Sequence, residues 1–420
     1  MSIFFRRLAW ALLAMMAISL RVSAADKLKV KDLSWGDEIV SNSFDSKAGI
    51  EDGFRKLKAE GYTDIHWRMI WDGAPDNEIE FYQLDAQQIE EARIRKQFEN
   101  TPYAWDPYEL RWPVAVAHRL GMRFWAHIVP YNMGAPPGAW AELGIMPHSE
   151  LLPNGFTIYA TNFLYQYKLL RQHPEYQLVD RKGKRYHYGV MEWAYPEARQ
   201  YWERLVRNIV SRYDVDGISM DTRTECMSPD FADQFGFNEP IVEEYNRRYG
   251  VDIRQEDFDL EKWRQLRGEY LTLFLKELCQ LIHSQGKQFA LETGRGDYIG
   301  FPLGNMKLEW RKWLREKIVD RFGLETNGWA WGTQGYGYVT DVDTGRGLKP
   351  LDAAIREDYG PLAKTSGVKL LFECRKNTPK PLSEPCCSSR ATLHPAPQPP
   401  NYCETMAAMP EFDGIRQTGR

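Results

Sequence analysis

The stretch Tyr213-Asp214-Val215-Asp216-Gly217-Ile218-Ser219-Met220-Asp221-Thr222-Arg223 indicates the fold most directly. It is predicted to form a short buried strand that ends in a carboxylate and a guanidinium. Because side chains alternate between the two faces of a strand, its glycine, its serine and its last aspartate share one face, while its isoleucine and methionine share the other. Small residues on one face and apolar residues on the other suit a barrel strand, which has a narrow interior inside and helices outside.

The position of Asp221 at the end of this strand has two interpretations. In a parallel (β/α)8 barrel the C-terminal ends of the strands form the mouth, where such enzymes carry their chemistry, so Asp221 would be a candidate catalytic residue. The other interpretation is a structural aspartate that caps the following turn. The strand alone does not separate the two.

Strand-like runs alternate with amphipathic helices along most of the chain, which favours a parallel α/β architecture. Seven strands are predicted, at residues 38–42, 63–71, 123–129, 216–221, 288–292, 320–325 and 368–374. Helices are predicted at residues 50–60, 112–120, 201–213, 239–249, 263–284, 307–316 and 351–364. The predicted fold class is therefore α/β, a (β/α)8 TIM-type barrel whose normal last strand is not evident.

The ends and insertions of the chain define its predicted organisation. Residues 1–24 are predicted to be a signal peptide, residues 25–375 the barrel, and residues 376–420 a tail rich in Pro, Ser and Cys that is disordered or aberrant, with a strand near 412–416 as the one alternative. The long segments 72–111 and 130–196 follow strands, so they are expected to lie over the C-terminal face and to shape a cleft.

The N-terminal segment predicts export. Arg6 and Arg7 precede an apolar run at residues 8–20, and Val22-Ser23-Ala24 provides small residues for cleavage. We therefore expect a periplasmic or extracellular protein with no stable membrane span after the signal is cleaved. A formal net charge of −4 and the lack of a long basic block argue against a nucleic-acid partner.

The six cysteines do not predict a metal site or a disulfide framework. Cys279 lies in a predicted helix, and Cys374, Cys386, Cys387 and Cys403 are crowded near the C-terminus without a CxxC pair or a histidine at ligand spacing. We therefore predict no metal and no cofactor.

Several short motifs, taken together, resemble a known family. They are His173-Pro174-Glu175-Tyr176, Asp180-Arg181-Lys182-Gly183, Tyr195-Pro196-Glu197-Ala198-Arg199, Tyr213-Asp214-Val215-Asp216-Gly217, Asp106-Pro107, the segment 117–124, Phe237-Asn238-Glu239-Pro240 and the segment 245–252. In this order they resemble the glycosyl-hydrolase-like family 10, whose members are exported bacterial barrel proteins. The resemblance spans roughly residues 35 to 300 and continues, more weakly, to about 375.

This resemblance implies a TIM-type barrel that acts on glycans of the cell envelope or the environment. The chain departs from the family at one point, because members often carry a paired acidic run after the strand, whereas Asp221 is followed by Thr222 and Arg223. The xylanase family that is also numbered 10 is a different family, and its glutamate motifs are not present here.

Glycoside hydrolysis needs two carboxyl groups that face each other across a cleft. Carboxylates end five of the predicted strands, at Asp72, Asp221, Glu292, Glu325 and Glu373. We predict Asp221 and Glu292 as the catalytic pair, because each shares a strand face with a small residue, and Glu325 as the substitute for either. The alternative is that these carboxylates make structural salt bridges with Arg223 and Arg295 at the rim.

Other strand-end residues are candidates for substrate binding. Hydroxyl-binding roles are predicted for Arg68, His127, Tyr131, Asn132, Arg223 and Asn327, and sugar-stacking roles for Trp71, Trp329 and Trp331. Each also has a structural interpretation, since a lone histidine or a tryptophan is more often part of the core. Asn238-Glu239-Pro240 spells a glycosidase acid–base motif, but it opens a helix, where Asn as N-cap and Pro in the first turn explain it.

Three functions remain open from the sequence. The first is a glycoside hydrolase acting on a poly- or oligosaccharide, the second a non-catalytic carbohydrate-binding barrel, and the third a metal-dependent barrel isomerase or hydrolase. The third ranks last because His66 and His127 are the histidines on predicted strands and no His-x-His motif occurs.

We predict that the mature protein begins near Ala25, because basic, apolar and small-residue segments follow one another in the order that signal peptidase recognises. N-terminal sequencing of the exported protein should find this terminus. Exported protein that still begins at Met1 would contradict the prediction.

Overall fold

The computed structural model describes residues 27–33, 44, 46–81, 110–136, 139, 165–222, 233–294, 296–299, 303, 306–325, 351–375 and 409–418. Twelve strands occur in these ranges: β1 Leu28–Leu33, β2 Asp64–Arg68, β3 Ile79–Phe81, β4 Arg123–Ile128, β5 Tyr165–Tyr167, β6 Gln177–Val179, β7 Tyr186–Met191, β8 Gly217–Asp221, β9 Gln288–Gly294, β10 Arg321–Glu325, β11 Lys369–Arg375 and β12 Gly414–Thr418. Eight of them form the central sheet, and the other four form two small pairs.

The central sheet is a closed barrel in the order β1-β12-β11-β10-β9-β8-β4-β2, and β2 pairs with β1 to complete the circle. Every neighbouring pair is parallel. Parallel neighbours need crossover connections, which here carry the helices to the outside of the sheet. The predicted (β/α)8 barrel is therefore confirmed.

The helices lie between the strands in the chain. They are α1 Lys47–Ala59, α2 Arg111–Arg119, α3 Lys168–Gln172, α4 Pro196–Arg212, α5 Glu239–Tyr249, α6 Leu260–Ser284, α7 Trp310–Arg315, α8 Leu351–Ala354 and α9 Gly360–Ser366. Single 3-10 turns occupy Ile70–Gly73, Asp76–Glu78 and Pro174–Tyr176, and a π-helical turn, Ile355–Tyr359, joins α8 to α9. None of the helices in the described ranges is long and apolar enough to cross a membrane.

Two strand predictions are corrected at the seam of the barrel. The first barrel strand is β1 rather than residues 38–42, which lie outside the described residues, and the final strand is β12, within the predicted tail. β12 pairs with β11 on one side and with β1 on the other, so the expectation of a missing last strand is wrong. The alternative of a strand near residues 412–416 is confirmed, and its signal is weak in the sequence because the inward side chain, Arg416, is charged rather than apolar.

The faces of β8 follow the alternation predicted from its sequence. Ile218 and Met220 are fully buried in the main hydrophobic cluster, while the hydroxyl of Ser219 contacts polar groups of β4 and β9 inside the barrel. A Cβ on Gly217 would lie 2.3 Å from the ring of Trp125, so only glycine leaves room for that indole in the interior.

A charged group also fills the N-terminal half of the interior. Asp64 on β2 is fully buried; its carboxylate accepts hydrogen bonds from Arg321 at 2.8 Å, from Arg123 at 2.8 Å and from the Trp125 indole at 3.0 Å. Burial alone would raise the pKa of Asp64, but the two guanidinium groups and Thr63 outweigh it and lower the pKa to about 2. This stabilisation is therefore present above the ordinary aspartate pKa and is lost as the pH falls through about 2.

The connection from β4 to β8 carries an antiparallel hairpin, β6 with β7, whose turn includes Gly183 at a φ of 68°. Asn238 precedes α5 as predicted, but its side chain does not cap that helix. It accepts a hydrogen bond from the Val179 amide and donates to the carbonyls of Glu175 and Gln177, which ties the hairpin to the helix. Glu239 pairs with Arg254 at 2.6 Å and its side chain is 57% exposed, which supports the structural interpretation of this motif.

We predict that the barrel depends on its last strand. A chain that ends after Ala408 loses β12, so two strand edges are exposed and the buried partners of Arg416 lose their counter-charge, which by itself costs about 3–5 kcal/mol. Thermal unfolding followed by circular dichroism should show no cooperative transition for this truncation.

The matched control is a chain that ends after Thr418, which keeps β12 and should unfold like the full chain. Cooperative unfolding of the shorter chain near the full-length midpoint would contradict the prediction.

Candidate active site

Polar side chains from six strands meet in the C-terminal half of the barrel interior. They are Asp32, His66, His127, Ser219, Asp221, Glu292 and Arg416. All are buried except Asp32, whose side chain is 11% exposed. Because Asp221, Glu292 and Arg416 follow the inward face of strands that run parallel, they reach the end of the barrel where such enzymes keep their active sites.

Glu292 makes the most contacts in this group. Its Oε1 accepts a hydrogen bond from Ser219 Oγ at 2.9 Å and lies 3.2 Å from His66 Nδ1, and its Oε2 forms an ion pair with Arg416. A Cβ on Gly323 of the next strand would lie 2.8 Å from Glu292 Cγ, so glycine makes the space for this side chain. Donors on both oxygens stabilise a negative charge on the carboxylate.

Arg416 links three carboxylates on three different strands. Its guanidinium pairs with Asp32 and with Glu292, and Nη2 lies 4.0 Å from Asp221 Oδ2. Asp221 and Glu292 are partners in the register of β8 and β9, so their Cα atoms are neighbours across the sheet. The predicted catalytic pair is therefore adjacent, and one guanidinium sits beside both members.

The two histidines lie on neighbouring strands with nearly parallel rings, 14° apart, at a centroid distance of 6.4 Å. His66 Nδ1 is 3.3 Å from Asp32 Oδ1, and His127 Nδ1 is 3.1 Å from Ser219 Oγ. Burial lowers the pKa of His66; Asp32 opposes this effect, while the positive charges of Arg416 and Arg321 add to it. His66 is thus held as a neutral imidazole.

The turn after β2 is strained. Trp71 and Asp72 have φ values of 47° and 48°, in the left-handed region that non-glycine residues rarely occupy. Asp72 is buried, and its Oδ1 accepts a hydrogen bond from the Val129 amide at 2.8 Å. Trp71 packs against Tyr165 with ring centroids 4.5 Å apart and is 9% exposed, so the structure places this predicted sugar platform within the core.

The remaining predicted binding residues lie around the same end of the barrel. Arg68, Tyr131 and Asn132 are buried, and the Tyr131 hydroxyl accepts a hydrogen bond from the Trp193 indole at 2.7 Å. Burial strongly raises the pKa of Tyr131, so its hydroxyl stays protonated. Arg223, Asn327, Trp329 and Trp331 lie outside the described residues, as do the side chains of Glu325 and Glu373.

Four members of the group were not predicted as site residues: Asp32, His66, Ser219 and Arg416. Asp32 lies on β1, which was not predicted, and Arg416 lies on β12, which was predicted only as an alternative. Ser219 was placed on the inward face as a small residue rather than as a hydrogen-bond donor. His66 was predicted to lie on a strand but not in the site. Its role could have been inferred because it lies on the same strand face as Arg68, which follows two residues later and was a predicted binding residue.

The sequence profile described as Glycosyl hydrolase-like 10 matches residues 155–326, which confirms over that segment the resemblance predicted from the motifs. No curated protein sequence matches the chain.

Among solved structures, the catalytic domain of β-amylase from Paenibacillus polymyxa is similar with a TM-score of 0.52 and 10% identity, covering 94% of this chain and 92% of the β-amylase. β-Galactosidase from Marinomonas ef1 has a TM-score of 0.43 and 11% identity over 82% and 48% of the two chains. α-L-Fucosidase isoenzyme 2 from Paenibacillus thiaminolyticus has a TM-score of 0.43 and 14% identity over 83% and 40%. At these identities the β-amylase similarity supports the barrel fold alone.

We predict that Arg416→Gln destabilises the protein by about 3–5 kcal/mol, because it leaves the buried carboxylates of Asp32 and Glu292 without their counter-charge. Urea unfolding at neutral pH measures the change in the free energy of unfolding.

Arg171→Gln is the matched control, since Arg171 pairs with Glu80 at 2.5 Å but is 52% exposed; its loss should cost less than about 1 kcal/mol. Equal effects of the two substitutions would show that the buried charge network does not hold the barrel together.

Proposed function

We propose that this chain is an exported glycoside hydrolase that cleaves a poly- or oligosaccharide of the cell envelope or the environment, with Asp221 and Glu292 as its carboxylate pair. The observation that carries the proposal is the adjacency of these two carboxylates on β8 and β9 in a parallel barrel, beside one shared guanidinium. The family match and the barrel fold support the same class of reaction.

The surroundings of the two carboxylates favour different roles. Glu292 receives the Ser219 hydroxyl and the Arg416 guanidinium, which suits a carboxylate that stays ionised as nucleophile or base. Asp221, whose Oδ2 lies 4.0 Å from Arg416 Nη2, is then the group that carries the proton to the leaving oxygen, since hydrolysis pairs such a carboxylate with an acid.

Substrate binding is proposed for the polar groups around the pair. Arg68, His127, Tyr131 and Asn132 could donate to or accept from sugar hydroxyls, and Arg223, Asn327 and Trp329 remain candidates by their position in the sequence. The signal-like N-terminus supports action outside the cytoplasm, on a glycan rather than on a nucleic acid, as the net charge of −4 also suggests.

We predict that Asp221→Asn lowers the cleavage of glycan fragments by roughly 10²–10⁴-fold or more, because it removes the general acid. An aryl glycoside with an acidic phenol as leaving group needs no protonation, so its cleavage by this variant should be restored in large part. Glu292→Gln should lose activity on both substrates, since its role does not depend on the leaving group.

Asp214→Asn is the control, because Asp214 precedes the same strand, is 78% exposed and pairs with Lys287 far from the mouth. It should keep wild-type activity. If the wild-type protein binds glycans but does not cleave them, the enzyme proposal is wrong and the protein is a non-catalytic carbohydrate-binding barrel. Full turnover by Asp221→Asn would move the acid role to another carboxylate, with Glu325 first.

A further inference from the structure

The His66, His127 and Glu292 side chains form a cluster in which Glu292 is shared with the proposed hydrolysis and His66 has no role in it. Each offers one nitrogen or oxygen ligand atom, and these atoms all lie within 4.8 Å of one another. All three residues are at least 98% buried, on three different strands of the barrel. Two imidazoles and one carboxylate are a ligand set typical of catalytic zinc and of other first-row divalent metals.

The hydrogen bonds of the cluster fix which imidazole nitrogen carries the proton. Ser219 Oγ donates to the carboxylate of Glu292, so it can only accept from His127 Nδ1, which must be the protonated nitrogen. His66 Nδ1 lies 3.3 Å from Asp32 Oδ1 and 3.2 Å from Glu292 Oε1, so it carries the proton when no metal is bound. Because Nε2 of the same ring points away from Glu292, Nδ1 is the His66 nitrogen that can bind a metal together with Glu292, with the ring proton on Nε2 instead. His127 has its lone pair on Nε2.

The contacts around the cluster match the outer shell of a metal site. A ligating histidine commonly donates its other N–H to a carboxylate or another acceptor, which fixes the ring and raises its basicity. Ser219 has this position for His127, while Asp32 lies 3.3 Å from His66 Nδ1, on the same side of the ring as Glu292. Both ring nitrogens of His66 are buried and, within the part of the chain that the structure describes, neither has a hydrogen-bond partner.

Carboxylates also lie beside the cluster. Asp32, Asp221 and Glu292 lie around the guanidinium of Arg416. Arg416 occupies Oε2 of Glu292, while Oε1 faces the histidine side of the cluster. Metal–ligand bonds of about 2.1 Å put tetrahedral ligands roughly 3.4 Å apart. His66 Nδ1 and Glu292 Oε1 already lie 3.2 Å apart, and His127 has to approach them by at most about 1.4 Å.

From these contacts we propose that His66 Nδ1, a ring nitrogen of His127 and Glu292 Oε1 bind one divalent first-row metal ion, with Ser219 as a positioning residue. Zinc is the probe that fits the ligand set. The proposal does not rest on the glycosidase proposal, since it concerns ligand atoms alone.

The first test is zinc binding by untagged wild-type protein. The protein is stripped with a chelator, loaded with zinc sulfate and exchanged into metal-free buffer, and zinc is measured by elemental analysis. We expect about one equivalent per chain and a rise of the unfolding temperature with zinc concentration, because a ligand that binds the native state stabilises it. If almost no zinc remains bound to the protein and its unfolding temperature does not rise with zinc concentration, the proposal is overturned.

The second test separates this cluster from other zinc ligands, such as the cysteines near the C-terminus. His66→Gln and His127→Gln should each weaken zinc binding at least about 100-fold, and Ser219→Ala about 10–100-fold. His187→Gln is the matched control, because His187 is equally buried but stacks on Phe235 with ring centroids 5.3 Å apart. Unchanged affinity in the two ligand variants, or equal loss in the control, would overturn the proposal.

The outcomes for metal and for hydrolysis are separate. Zinc bound by the wild type and lost from the ligand variants supports the metal site even if no glycan is cleaved. If the protein cleaves glycans but binds no zinc, the hydrolase proposal stands and the metal-site proposal is overturned.

Discussion

The guanidinium of Arg416 links the closure of the barrel to the assembly of the site. It comes from β12, the strand that completes the sheet, and it pairs with Asp32 on β1 and Glu292 on β9 while lying 4.0 Å from Asp221 on β8. Buried charges are costly unless they are paired. The carboxylates of the site can therefore be buried only when the last strand is in place, and that strand is held in the sheet by the charges it neutralises.

The interior of this barrel is more polar than the layers of branched apolar side chains that usually fill such barrels. Its N-terminal half holds Asp64 between Arg321 and Arg123, and its C-terminal half holds the cluster around Glu292. The first group satisfies the Asp64 carboxylate completely and suits a structural role at the closed end. The second brings three carboxylates to the guanidinium of Arg416 at the mouth, where the proposed chemistry needs ionisable groups.

The sequence predicts the strands whose inward residues are small or whose outward residues are strongly apolar. For β8 and β9 this logic also predicts the paired carboxylates Asp221 and Glu292, because strand parity and parallel pairing are local properties. It fails for β1 and gives β12 only as an alternative near residues 412–416, since Asp32 and Arg416 interrupt the apolar pattern at inward positions. From the sequence alone, a buried arginine is predicted to be a surface residue, because the carboxylates that pair with it lie at distant positions in the chain.

The same limit explains why the histidines were ranked low as a pair. His66 and His127 show no ligand spacing in the sequence, yet adjacent parallel strands bring their rings to a centroid distance of 6.4 Å. Ser219 then acts as a link: because its hydroxyl has one proton, donation to Glu292 forces acceptance from His127. The carboxylates therefore determine which nitrogen carries the proton in each imidazole ring, and the side chains of the cluster are ordered together.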